Sequence, residues 1–361
     1  MPSPIAEQVK ELEKTGFQVK KGIRQILRKP NDKAEVSGYW VHRWAKHACQ
    51  NYPIVTRSAG IRYLKDACIN IPTFIVGIGP SLDDNINELK QAKNRALIIA
   101  TDAAVRPLLA KNIRPDLVMS FDCQKSQHTL WESIPKHVIY NLPLVINSCT
   151  HPHTILAWDG PILFYNQWHT ADEFVRNLLP YIFPKIGSLP SAGTVGNMAV
   201  LLAHYMGCNP IYTMGFDLCY QERNGGWKYR CKDFQWDSPA SPGMPGKWGE
   251  TENKILYDND QRISQIIDET IKSEKYKTDP ALKKYRESLL GLTDGLPLPL
   301  VDCSIGGVLR EYFRNASVTQ AIMESCREEL SEGRTIVRFL DKSVPHGTKL
   351  WERDKENGSN F

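Results

Sequence analysis

From residue 72 onward the chain alternates between short apolar runs and amphipathic stretches, and this alternation sets the fold class. Thr73 to Val76 are β-branched or aromatic without a polar interruption, the pattern of a parallel strand covered on both faces. Ala96–Ala100, Asp116–Phe121, Leu144–Ile146, Ile162–Tyr165 and Pro210–Met214 read as further strands, and Leu298–Val301 as the last one. Ala103–Lys111 and Thr194–Met206 read as helices between them. Strands alternating with helices predict a parallel sheet with crossover connections: an α/β, Rossmann-like, mostly parallel doubly wound architecture. Ligands in such sheets bind at the carboxyl ends of the strands.

The flanks differ in pattern. Residues 4–28 suggest a helix through Ile5, Val9, Leu12, Phe17, Ile23 and Leu27, followed by helical stretches at Tyr39–Ala48 and Ala59–Ala67. We therefore read 1–70 as a helical N-terminal region for packing or oligomerisation, compatible with a homodimer, and 71–220 as the Rossmann-like domain. Between 221 and 260 the Gly/Pro content rises and Trp227, Tyr229, Trp236 and Trp248 stand among charges, which predicts a long lid loop. Residues 262–290 return to a helical pattern, so 261–341 reads as C-terminal helices and a last strand completing the domain, and 342–361 as a polar tail.

Composition narrows the class without naming a function. The 361 residues are 42% hydrophobic and 24% charged, ordinary for a globular chain, and the net charge of +5 permits an acidic partner without demanding one. No apolar run reaches the ~18 residues of a membrane span, and Met1–Lys21 has no apolar h-region of a secretory signal. Nine cysteines without a CxxC pair predict reduced thiols and a cytoplasmic location.

The candidate chemistry begins where the first strand ends, at Gly77-Ile78-Gly79-Pro80-Ser81-Leu82. Gly77 and Gly79 allow a sharp turn and close approach of a ligand phosphate, Pro80 suits a first helical turn, and Ser81 offers a hydroxyl there. With Asp83 and Asp84 placed for the helix dipole, the stretch reads as a nucleotide cradle; its plain alternative is a tight strand-to-helix turn.

Two further segments accompany it in order: Ile113-Arg114-Pro115-Asp116-Leu117-Val118 with Ser120-Phe121-Asp122, and Ser191-Ala192-Gly193-Thr194-Val195 with Gly207–Tyr212 and Gly215-Phe216-Asp217-Leu218. Together they resemble the family that unites motility-accessory-factor flagellin glycosyltransferases with the MptE-like hydroxymethylpterin diphosphokinases. They are also similar to the nucleotide-binding half of bacterial sialyltransferases. The resemblance implies a nucleotide-sugar-binding domain over 71–220, with a donor held by Gly77, Gly79, Pro80, Ser81, Asp102, Asp122, Ser191, Gly193, Thr194 and Asp217. Asp102 and Asp122 stand at strand ends where sialyltransferases carry asparagines, and Ser191 and Gly193 match their Thr-Ser-Gly turn, with Ala192 in place of the middle serine. The sialyltransferase Gly-His element is absent, so Asp102, Asp122 and His169 are the catalytic candidates. His169 follows a strand end in Asn166-Gln167-Trp168-His169; its other reading is packing under Trp168.

The expected activity is metal-independent transfer of a nonulosonic or sialic-type sugar from a CMP-activated donor to a hydroxyl of a protein, a glycan or a modified nucleic acid. On this expectation no metal is needed and no cofactor beyond the donor is required. An ATP-dependent diphosphokinase acting on a pterin-like alcohol, which would need Mg²⁺, is the alternative, as is a nucleotide-binding accessory protein without catalysis. Ser120-Phe121-Asp122 offers one aspartate where the archaeal kinases have Asp-Leu-Asp-Gly. His151-Pro152-His153 lacks a third ligand of clear spacing, so we assign it a surface turn and no metal site.

Overall fold

The computed structural model describes residues 36–123, 125–131, 134–168, 173–223, 225–234, 266–296, 298–326 and 330. The expected helix at 4–28, His169, Trp236, Trp248 and the polar tail lie outside the described residues.

The core is one parallel sheet. Its strands are β1 (Ala59–Gly60), β2 (Thr73–Val76), β3 (Leu97–Thr101), β4 (Leu117–Met119), β5 (Leu144–Asn147), β6 (Ile162–Trp168), β7 (Ser188–Pro190), β8 (Ile211–Met214), β13 (Leu300–Asp302) and β14 (Arg314–Asn315). The intervening β9 (Gln221–Arg223), β10 (Gly226–Lys228), β11 (Ile267–Ile271) and β12 (Glu274–Thr278) form two separate antiparallel hairpins. The order across the main sheet is β1-β6-β5-β4-β3-β2-β8-β13-β14, with β7 paired to β6, and every pairing is parallel. From β2 the chain winds outward through β3 to β6, then returns to lay β8 and β13 on the other side of β2. The direction of winding therefore reverses between β2 and β8, and such a reversal opens a crevice at the strand carboxyl ends.

Side chains alternate across the sheet, and both faces are covered. Phe74, Val76, Ile98, Ala100, Val118 and Tyr212 enter one core cluster; Ile75, Leu97, Ile99, Leu117, Met119 and Ile211 enter the other. Phe74 and Tyr212, on neighbouring strands, stack with ring centroids 4.8 Å apart. The second face is covered by α3 (Val195–Tyr205), of which Asn197–Ala203 are buried, and by Leu289 of α4 (Pro280–Gly295). Each of these helices begins at a side-chain cap: Thr194 accepts from Asn197 N–H, and Asp279 from Leu282 N–H ahead of Pro280 at the first turn. The opposite face carries α1 (Val36–Val55), α2 (Glu173–Ile182) and α5 (Val318–Ser325).

α1 is part of this body. Ala45, Ala48 and Val55 are buried in the core, and Asn51 Nδ2 donates to Ser148 O (3.0 Å) and Thr150 O (2.7 Å) beyond β5. The segment expected as a helix at Ala59–Ala67 is instead β1 followed by the 3₁₀ turn Ile61–Leu64. The cause is tertiary: at Gly60 a Cβ would stand 2.1 Å from Ile186 Cα, so the chain crosses at contact distance while pairing with β6. The start of the helix expected at 262–290 is likewise corrected. Ile267–Thr278 is the β11–β12 hairpin, turning at Lys272 with φ 54°, and helix begins only at the Asp279-Pro280 signal. The described beginning of the expected lid is the β9–β10 hairpin.

Candidate functional site

At the switch point the two glycine turns meet back to back. Gly77 N–H donates to Met214 O and Gly79 N–H to Gly215 O, both at 2.8 Å. Ser81 N–H faces both carboxylate oxygens of Asp217 at 3.3 Å, and Ser81 Oγ–H donates to Asp217 Oδ2 at 2.9 Å. Gln221 Nε2 holds the other oxygen, Oδ1, at 2.6 Å. Gly215 adopts φ +64°, and a Cβ on Gly79 would lie 1.8 Å from Asp217 Oδ2. This changes the physical reading of the cradle. The N–H groups of Gly77, Gly79 and Ser81, expected to meet a donor phosphate, are donated to the end of β8 and its aspartate. Glycine is needed at 79 because the chain's own carboxylate approaches there. The helix that follows is one short turn, Leu82–Asn85.

Asp217 is fully buried, and burial pushes its pKa up to about 7 against the Ser81 hydrogen bonds, with the nearby Asp302 charge adding to the rise. Asp302, at the end of β13, is raised to about 6 by burial; its Oδ1 accepts from Thr213 Oγ (3.0 Å) and Ser304 N–H (3.1 Å).

The second feature is a row of buried polar side chains along the carboxyl ends of β3 to β7. Asp102 follows β3 and is buried; its Oδ1 accepts from Ala103 N–H (2.7 Å) and its Oδ2 from Ser120 Oγ (2.8 Å) and Gln127 Nε2. Burial pushes its pKa up to about 7, the Ser120, Ala103 and Gln127 hydrogen bonds oppose the shift, and the charge of Asp122 adds to it. Asp122 is half-buried beside it. After β5, Asn147 Nδ2 donates to Gln167 Oε1 at 2.6 Å, and Gln167 Nε2 donates to Ser191 Oγ at 3.1 Å. Ser148 Oγ donates to Asn166 Oδ1 at 3.2 Å, and Asn166 Nδ2 to Phe183 O at 2.9 Å.

The fold thus brings Gly79, Ser81 and Asp217 together, places Asp102 beside Asp122, and ties Ser191 into the amide row. Gly193, with φ +82°, lies against Ser288 of α4, and Thr194 is the α3 cap. Asn147, Asn166, Gln167 and Gln127 went unmarked in the sequence reading. Their signal was available for the strand ends: Asn147-Ser148 and Asn166-Gln167 break apolar strand runs abruptly at the edge where this architecture builds sites.

The aromatic residues at the start of the expected lid and the His151-Pro152-His153 turn make local contacts. Arg230 stacks on Tyr229 (4.6 Å) and Phe234 (4.5 Å), Tyr229 packs on Tyr220, and Lys277 sits over Trp227. His151 and His153 lie in a series of rings with His47 and His128, the neighbouring centroids 4.9, 5.1 and 6.3 Å apart. His151 Nδ1 accepts from His153 N–H, and His47 Nδ1 pairs with Cys149 O while burial lowers its pKa to about 4. Among the described residues no three His, Cys, Asp or Glu side chains are arranged to hold a metal ion.

A parallel doubly wound sheet with a polar row at its carboxyl edge defines a Rossmann-like α/β protein. Residues 46–223 match the family described as 6-hydroxymethylpterin diphosphokinase MptE-like, so the chain carries a domain of the MptE-like family. Among solved structures it is similar to a MAf glycosyltransferase from Magnetospirillum magneticum AMB-1, with a TM-score of 0.51 and 19% identity. That likeness covers 80% of this chain and 41% of the other, so this chain spans about two fifths of its relative's length, and at that identity the shared property is the fold. No curated protein sequence matches.

Proposed function

We propose that the protein is a glycosyltransferase that moves a nonulosonic or sialic-type sugar from a CMP-activated donor to a hydroxyl acceptor without a divalent metal. The observation that carries this reading is the buried polar row at the ends of β3 to β7, which is rich in hydroxyls and amides and poor in ionised groups. Such a lining suits a nucleotide monophosphate ester, whose base and ribose are recognised by hydrogen bonds and whose leaving group carries less charge than a nucleoside diphosphate. A Mg²⁺–ATP site needs ionised carboxylate oxygens with lone pairs to spare. Asp102 spends its oxygens on Ala103, Ser120 and Gln127, and its raised pKa favours the neutral acid, so it fits that role poorly.

In this scheme Asp122 is the base, since it stands half-buried at the edge of the row. It takes the acceptor hydroxyl proton as the acceptor oxygen bonds to the anomeric carbon; the bond from that carbon to the phosphate oxygen breaks, and CMP departs with the electron pair. Asp102 positions Ser120 and Gln127, while Asn147, Gln167 and Ser191 line the donor side. Asp217 holds the Gly77–Ser81 turn in place as the wall of the crevice. The acceptor is a protein, glycan or modified nucleic acid hydroxyl.

The test is CMP release from a CMP-activated nonulosonic acid in the presence of a chelator, with acceptor hydroxyls supplied. Release under those conditions supports the transferase. Formation of AMP from ATP only with Mg²⁺ and a pterin-like alcohol replaces it with the diphosphokinase that the family description names.

A further inference from the structure

We propose that Cys68 and Cys208 form an oxidisable dithiol, a reversible disulfide site tying together the two segments that lead into β2 and β8. These segments run side by side although they are far apart in sequence. Asp66 N–H donates to Tyr205 O (3.1 Å), Cys68 N–H to Met206 O (2.7 Å), Asn70 N–H to Gly207 O (2.9 Å) and Asn209 N–H to Ile71 O (3.1 Å). At Gly207, where φ is +79°, a Cβ would lie 3.2 Å from Ile69 Cα, so the two backbones are in contact next to both cysteines. Both cysteines are reduced and buried, and each influences the ionisation of the other. Their neighbours Ile69, Asn70 and Asn209 are exposed, which leaves a short path from solvent for a small oxidant.

The pair is chemically polarised. Interaction with Cys68 lowers the Cys208 thiol below its ordinary range, and the same interaction raises Cys68. Thiolate is the nucleophile, so Cys208 attacks first and Cys68 resolves. With a hydroperoxide as oxidant, the Cys208 sulfur bonds to one peroxide oxygen, the O–O bond breaks, and the other oxygen leaves as an alcohol or water after taking a proton. The Cys68 sulfur then attacks the sulfenic sulfur, and the hydroxyl departs with the Cys68 proton as water. Two thiols and one hydroperoxide become a disulfide, an alcohol and water. By contrast, burial raises the thiols of Cys123, Cys149, Cys219 and Cys303, which makes them poor nucleophiles.

The bridge would close a loop containing β2 to β7 and α3, and so restrict the unfolded chain. It would also fasten the amino ends of the two strands whose carboxyl ends carry Gly77–Ser81 and Gly215–Asp217.

The full chain is treated with hydrogen peroxide, alkylated, digested without reductant and mapped by mass spectrometry. We expect a dominant cross-linked peptide joining Cys68 to Cys208, its loss on reduction, and a higher unfolding midpoint for the oxidised protein. Cys208→Ser abolishes both effects and Cys49→Ser keeps both. Recovery of Cys68 and Cys208 alkylated while other cysteines oxidise, a different dominant pair, or an equal midpoint rise in Cys208→Ser would overturn the proposal. The wild-type peptide map decides the pairing even where a variant fails to fold.

Discussion

Replacing Gly79 with alanine adds one methyl group at the tightest point of the switch between β2 and β8. Its Cβ would lie 1.8 Å from Asp217 Oδ2, 2.7 Å from Asp217 Cγ and 2.8 Å from Gly215 O. The Gly215 carbonyl is backbone and already accepts from Gly79 N–H, so it has little room to move. The carboxylate must therefore withdraw, leaving Ser81 N–H and Ser81 Oγ without their acceptor and Gln221 Nε2 with only its bond to Ile305 O. Overpacking of this kind costs about 1–3 kcal/mol, and leaving buried donors unsatisfied costs a further ~1–3 kcal/mol. Gly79→Ala is thus expected to lose about 2–6 kcal/mol in urea unfolding followed by circular dichroism. Gly291→Ala, in α4 with nothing near its Cβ position, serves as control and gains about 0.5–1 kcal/mol. In an Asp217→Ala background the carboxylate is gone, and the Gly79→Ala penalty should shrink by ~1 kcal/mol or more. A Gly79→Ala protein within about 0.5 kcal/mol of wild type, or strict additivity of the two substitutions, would refute this account of the turn.

The remaining predictions concern the polar row and α1. Asp102 has a folded pKa of about 7, above the ~3.9 of an unfolded aspartate, so its protonated form stabilises the fold below about pH 4 and that stability is lost as pH rises toward 7. In urea unfolding from about pH 4 to 8, the stability gap between wild type and Asp102→Asn should move in the variant's favour by on the order of a few kcal/mol; parallel profiles would contradict it. Asn51→Ala removes both donors to Ser148 O and Thr150 O and should cost about 1–3 kcal/mol, with hydrogen exchange rising in 148–150; an unchanged protein would mean that α1 does not anchor this loop. Asp122→Asn should lower transfer turnover by about 10²–10⁴-fold with the donor KM little changed, measured by CMP release; retained turnover would remove Asp122 as base.

How much of this was legible in the sequence depends on where each signal resides. β2, β5 and β8 are readable because a strand covered on both faces has no polar positions to obscure its run. α3 announces itself by Thr194, whereas the reading of 262–290 as helix passes over Asp279-Pro280, the signal at which α4 begins. β1 is not readable, because its conformation is imposed by Ile186 and β6, far along the chain. The β11–β12 hairpin is hidden among charged residues whose alternation resembles an exposed helix. The glycine turn is correctly located by sequence, yet its partner is Asp217, a residue 136 positions from Ser81, and only the order of strands reveals that. The amide row escapes for the same reason: Asn147, Gln167 and Ser191 become neighbours only when β5, β6 and β7 pair.

The most direct test of a CMP-donor site at the carboxyl edge of the sheet is thermal melting of the protein with CMP, UMP, UDP, GDP and ATP, each with and without Mg²⁺. A ligand at about a hundred times its Kd adds about 2.7 kcal/mol to the folded state. We expect selective stabilisation by CMP that is unchanged by the metal; stabilisation by ATP with Mg²⁺ alone would contradict the transferase and favour the kinase.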